Sequence, residues 1–168
     1  LSRQDSDAVT GLDAVTLEVV GDPIRVEREP RAMEFSAGRV YVLGSGDGTV
    51  SRIDAATGEV TGSVRVGDSV GGIEVDGGVI YVAADGTVVP VSEQTFVPGP
   101  PYAFIGWSYF EVNGGVVWVV HDEEPAVRRY DATERVEIGE PVTGVGADVG
   151  RARWAFGRLW MTVPDRNA

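Results

Sequence analysis

An aromatic residue returns in this chain at an interval near 40 positions. Tyr41, Tyr81, Trp118 and Trp160 are separated by 40, 37 and 42 residues. Each lies in a short apolar run: Val40-Tyr41-Val42, Ile80-Tyr81-Val82, Val117-Trp118-Val119 and Leu159-Trp160-Met161. A Gly turn and another short strand pattern precede each run: Met33-Glu34-Phe35, Ile73-Glu74-Val75, Phe110-Glu111-Val112 and Trp154-Ala155-Phe156. After the aromatic strand comes a third, closed by an apolar residue and Asp in Leu12-Asp13, Ile53-Asp54 and Tyr130-Asp131. An Asp there bonds the backbone two residues on and turns the chain into a fourth strand. The second copy has Val91-Ser92 instead, and Pro90 interrupts its third strand.

Four short strands per repeat, with turn signals between them, exclude helical repeats and predict an all-β chain. The spacing is that of a β-propeller built from four-stranded antiparallel blades of about 40 residues. Runs such as Val79 to Val82 do not alternate, as expected when neighbouring blades stack on both faces. Residues 8–26 read as a third and a fourth strand, and residues 152–163 as a first and a second. These halves add up to one blade, giving four blade equivalents in a single domain over residues 1–168. The ring then closes within one chain, or by strand exchange between two chains into an eight-blade dimer.

Charge narrows the partners. The formal net charge is −12, and all 14 basic residues are Arg. Nucleic acid and anionic membrane surfaces are repelled by such a chain. Without Cys there is no disulfide, thiolate nucleophile or thiolate metal site. No apolar run reaches the roughly 20 residues that span a bilayer. The start at Leu1 suggests an excised or mature fragment, so membrane attachment is expected only through a removed anchor. Gly44-Ser45-Gly46-Asp47-Gly48 is a hairpin turn with no helix after it, which excludes a phosphate loop.

The copy Gly71-Gly72-Ile73-Glu74-Val75-Asp76-Gly77-Gly78, followed by Ile80-Tyr81-Val82, resembles the YVTN-type repeat. So does Thr49-Val50-Ser51-Arg52-Ile53-Asp54-Ala55-Ala56-Thr57-Gly58. NHL and streptogramin-lyase-like propellers share the pattern, and the resemblance covers nearly the whole chain. It implies an extracytoplasmic module, such as the sensor region of an actinobacterial membrane serine/threonine kinase. Such a module would be a non-catalytic part that binds a protein or a small molecule. The kinase itself is not here, because the chain has no Lys. The alternative is a metal-dependent, streptogramin-lyase-like enzyme. Those lyases use catalytic His and Glu residues with magnesium. This chain has a single histidine, His121, so a two-histidine site cannot be assembled within one chain.

Three sets of residues are candidate sites. Glu34, Glu74 and Glu111 occupy the same place in three first strands, and the alignment puts Ala155 in the fourth. Innermost in a blade, they would point toward the channel, where like charges need a cation or Arg beside them. Arg31, Arg151 and Arg153 are near in sequence. His121, Asp122 and Glu124 follow a second strand, and one imidazole with carboxylates could collect a divalent cation. A solvated acidic loop is the competing reading. Phe104, Trp107 and Tyr109 sit in the Pro-rich stretch after the irregular second copy. Aromatics beside Pro suit a recognition surface, or they refill a shortened blade. No cofactor beyond such a cation is expected.

Overall fold

The structure, a computed structural model, describes residues 2–3, 7–104, 107–121, 126–145 and 152–162, without the side chains of 2, 3, 107, 108 and 121. The strands are β1 (Ser2–Arg3), β2 (Ala8–Leu12), β3 (Val19–Arg25), β4 (Pro30–Ser36), β5 (Arg39–Gly44), β6 (Thr49–Asp54), β7 (Val60–Arg65) and β8 (Val70–Asp76). They continue with β9 (Val79–Ala84), β10 (Thr87–Ser92), β11 (Trp107–Asn113), β12 (Val116–His121), β13 (Ala126–Asp131), β14 (Val142–Thr143), β15 (Ala152–Ala155) and β16 (Arg158–Met161). No helix occurs among the described residues. Every sheet is an antiparallel meander, in the orders β1-β2-β3, β4-β5-β6-β7, β10-β9-β8, β11-β12-β13-β14 and β15-β16. These are blades of the propeller type, as the repeat predicts. The chain divides into two compact units, Leu1–Pro101 and Tyr102–Ala168.

Two turns recur and account for the repeat. The first joins strands one and two. Its central pairs are Ala37-Gly38, Gly77-Gly78, Gly114-Gly115 and Phe156-Gly157, all with positive φ. Two left-handed residues in succession give the turn whose twist matches a two-residue hairpin. The second turn joins strands three and four, and it has one geometry in four copies. Leu17, Gly58, Phe96 and Arg135 donate their backbone N–H to the carbonyls of Asp13, Asp54, Ser92 and Asp131 at 2.8–2.9 Å. Each of these donors is left-handed, with φ of 61°, 75°, 57° and 61°. The carboxylates of Asp13, Asp54 and Asp131 also accept the N–H groups two and three residues on, at 2.7–3.0 Å.

Several expectations need correction. The second copy keeps its turn, because Ser92 Oγ accepts from Thr95 N at 3.2 Å in place of a carboxylate. Pro90 does not break its strand; it pairs with Tyr81 inside β10. The missing N–H is tolerated because this blade has only three full strands, and β10 is nearly an edge. Its fourth strand is reduced to the bridge Val91↔Pro98 and the bond from Gly99 N to Pro90 O, 2.7 Å. At the N-terminal sheet a short β1 precedes the expected two strands, pairing Ser2 with Val9 and Arg3 with Ala8.

The first and second blades share one core. Tyr41, Leu43 and Val50 pack with Val70, Ile73, Ile80 and Val82, all buried. Each aliphatic side chain so buried contributes roughly 1.5–3 kcal/mol. In the second unit Val120 and Val127 pack against Tyr109, Trp118, Leu159 and Met161. The expectation that the four recurring aromatics are all buried fails at the last. Tyr41 and Tyr81 are buried and Trp118 is half-buried, but Trp160 is 55% exposed. Among the described residues the end sheet β15-β16 has two strands.

Candidate functional site

The hairpin register redraws the glutamate set. Glu34 faces Tyr41, Glu74 faces Tyr81 and Glu111 faces Trp118 across the first two strands of each blade. In the last hairpin Trp160 faces Arg153. The residue equivalent to the three glutamates is therefore Arg153, not Ala155. The displaced alignment came from matching apolar triplets. Counting three positions back from the left-handed pair of the turn places Glu34, Glu74, Glu111 and Arg153 together.

Glu111 shows what such a carboxylate does. It is 6% exposed. One oxygen accepts from Arg153 Nη1 at 3.2 Å, and the other accepts from Trp154 N at 3.1 Å. A carboxylate on β11 thus holds the backbone and the guanidinium of β15. The rings of Trp118 and Trp154 pack 5.2 Å apart beside it. Burial of the carboxyl group is tolerated because a guanidinium and a backbone donor replace its water. The Arg anticipated as compensating charge is present at this position. Glu34 and Glu74 are half-buried on β4 and β8.

A second polar cluster went unpredicted. Glu93, buried in the turn after β10, lies by Tyr41. Burial first, and then this carboxylate, push the Tyr41 phenol above its usual range. Yet Tyr41 Oη and Glu93 Oε1 complete no hydrogen bond to each other or to another group. Phe96 packs on Tyr41: its ring stacks there with centroids 6.3 Å apart and lies 4.6 Å under the Arg52 guanidinium. A missing side chain at Gly62 makes room, since a Cβ there would stand 3.2 Å from the Phe96 ring. Neither Glu93 nor Phe96 follows a repeat rule of residue type. Only their positions in the turn could have flagged them.

The aromatic stretch is packed. Phe104 sits between Tyr102, 5.9 Å away, and Tyr130, 4.6 Å away. Tyr102 is buried, and its hydroxyl donates to Ala132 O at 2.5 Å. Arg135 lies 4.4 Å over the Tyr102 ring. Burial, and then Glu137, push the Tyr130 phenol up. Tyr109 joins the core of the third blade. Trp107 and His121 are paired across β11 and β12, with their side chains outside the described residues. Asp122 and Glu124 lie outside the described residues altogether. Among the described residues no group of three His, Cys, Asp or Glu side chains could hold a metal ion.

The turn carboxylates are committed locally. Backbone N–H donors hold Asp13, Asp54 and Asp131 below the usual carboxylate range: Thr16 and Val15, Thr57 and Ala56, and Glu134 and Thr133 respectively. Asp85 is lowered in the same way by Ser69 and Asp68. It fixes the entry into β8 from the turn between β9 and β10.

No family model and no curated protein matches the sequence. Solved structures do match. Hydrazine synthase of Kuenenia stuttgartiensis is 21% identical with a TM-score of 0.75, over 90% of this chain and 47% of that one. The BBS1N structure in complex with ARL6DN is 16% identical with a TM-score of 0.73, over 94% and 55%. The WD40 domain of Neurospora crassa Pan2 is 12% identical with a TM-score of 0.64, over 76% and 44%. The chain spans about half the length of these structures. At such identities the likeness is one of fold, and the fold is the β-propeller.

Proposed function

We propose that this chain is a non-catalytic propeller module that binds a cationic protein or small ligand. In this reading it is the extracytoplasmic sensor part of a larger surface or signalling protein of the YVTN/NHL type, such as a membrane serine/threonine kinase. The observation that carries the reading is the use made of the recurring polar groups. Glu111 clamps one sheet to the next, and three turn aspartates bind their own backbone. Carboxylates so engaged are poor acids, bases or metal ligands, whereas general acid-base catalysis needs a group within reach of substrate. The −12 charge supplies attraction for a cationic partner. A propeller neighbour, BBS1N, is itself in complex with a protein.

The test is binding of basic and acidic peptides to the immobilised chain at low and high salt. Basic peptides should bind, with an affinity that falls as salt rises. Binding that ignores peptide charge would overturn the cationic partner. Magnesium-dependent opening of a cyclic depsipeptide, abolished by His121→Ala, would overturn the non-catalytic reading.

A further inference from the structure

The turn between the first two strands keeps one backbone shape while its residues change. Ser36-Ala37-Gly38, Asp76-Gly77-Gly78, Asn113-Gly114-Gly115 and Ala155-Phe156-Gly157 occupy it, and the last two residues of each triplet have positive φ. In the third blade this places a carboxamide directly before a glycine, and it is the chain's one Asn-Gly pair. Asparagine is a thermolabile residue because the next backbone nitrogen can reach its carboxamide carbon and close a five-membered ring. A following side chain ordinarily obstructs that approach, and glycine has none.

The structure leaves the pair open to this reaction. Asn113 and Gly114 are both exposed, whereas Asp76, at the same place in the second blade, is half-buried. Nothing lies within 4 Å of where a Cβ at Gly114 or Gly115 would stand. Among the described residues neither the Asn113 carboxamide nor the Gly114 N–H has a hydrogen-bond partner. The ladder between β11 and β12 ends at the Asn113↔Val116 pair, so the turn opens at the cost of that last pair. Rotation about the Asn113 Cα–C bond then brings the Gly114 nitrogen to the carboxamide, and two glycines let the backbone follow.

We propose that Asn113 is a site of spontaneous deamidation in the folded chain. The Gly114 nitrogen attacks Asn113 Cγ, and the new C–N bond closes a succinimide. The Cγ–Nδ2 bond breaks, and Nδ2 leaves as ammonia with the proton that Gly114 gives up. Water then opens the ring on either side of the nitrogen. Breaking its bond to Cγ yields aspartate, and breaking its bond to the backbone carbonyl yields isoaspartate. The aspartyl product adds one negative charge to the −12 of the chain. Its triplet is then that of Asp76-Gly77-Gly78, which this turn already holds in the second blade. The isoaspartyl product adds one carbon to the main chain, beside the Gly115 carbonyl that accepts from Ala132 N at 2.9 Å.

The test is incubation of the intact chain at mildly alkaline pH, well below its melting temperature, beside a sample unfolded in urea. Peptides from both are then mapped by mass. The peptide holding Asn113 should gain one mass unit in the folded sample. Part of it should also accept a labelled methyl group from an isoaspartyl carboxyl methyltransferase. Asn113→Ser puts in the residue that the first blade uses at this place, so it should fold normally and lose both signals. A folded-chain rate no greater than the unfolded population accounts for overturns the proposal, because the native turn would then protect the pair. A mass gain without the isoaspartyl label overturns the succinimide route, and signals that survive Asn113→Ser overturn the site.

Discussion

Tyr41 and Trp160 hold the same place in the repeat and meet opposite fates. Tyr41 is fully buried, between a complete first blade and the second blade packed on it. Trp160 is more than half exposed, on a two-stranded sheet. An aromatic in a blade is buried by its neighbours, so its energetic weight depends on how many complete sheets flank it. Tyr41→Ala should cost about 3–5 kcal/mol in denaturant melts, because a large buried side chain leaves a cavity. Trp160→Ala should cost under about 1 kcal/mol in the monomer, as for other exposed positions. Tyr41→Phe sharpens the contrast. The hydroxyl it removes is buried without a partner, so the change should be neutral or stabilising. Equal losses at Tyr41 and Trp160 would break the comparison.

The same two regions differ in what holds sheet to sheet. The first and second blades are joined by an apolar core, the Phe96 contacts to Tyr41 and Arg52, and one bond from Arg39 Nη1 to Glu93 O, whereas β15 is tied to β11 through the buried carboxylate of Glu111. Removing one partner of a buried polar pair costs more than the pair contributes, because the other is left unsatisfied. Glu111→Ala should therefore cost about 1–3 kcal/mol by stranding Trp154 N–H. Arg153→Ala should cost less, because the guanidinium is largely in water and its charge is screened. Chemical melts of both variants, with the double variant to close the cycle, measure the coupling. A larger loss at Arg153 would show that charge, not the backbone bond, is the tie.

The fold was legible because it is written in turns. Gly at the hairpins and Asp at the later turn fix where the strands end, and strand type follows from period and β-branching. Apolar triplets were a poorer guide: they slipped the last hairpin by two residues and hid Arg153 behind Ala155. Blade completeness was less legible, since Pro90 and Ser92 read as breaks although the backbone accommodates both. The polar contacts were illegible for a deeper reason. Glu93 and Phe96 act on residues about 50 positions earlier, and no local pattern encodes such a meeting.

The smallest effect separates the turns themselves. Asp13, Asp54 and Asp131 close three of them with carboxylates, and Ser92 closes the fourth with a hydroxyl. Backbone donors lower the folded pKa of the three aspartates below the ordinary value of 3.8. Their contribution is therefore complete above the unfolded value and is lost as pH falls through the folded ones. Protonation removes the charge from each acceptor while the backbone N–H groups remain. Asp54→Ser should accordingly flatten the acid limb of the melting-temperature profile, with little change at neutral pH. Ser92→Asp should steepen it by giving the second blade a titrating turn. Because Asp13 is exposed and Asp54 and Asp131 are only half-buried, each step should be a small fraction of the loss at Tyr41. An acid limb untouched by all three Asp→Ser changes would show that these turn carboxylates do not set the acid sensitivity.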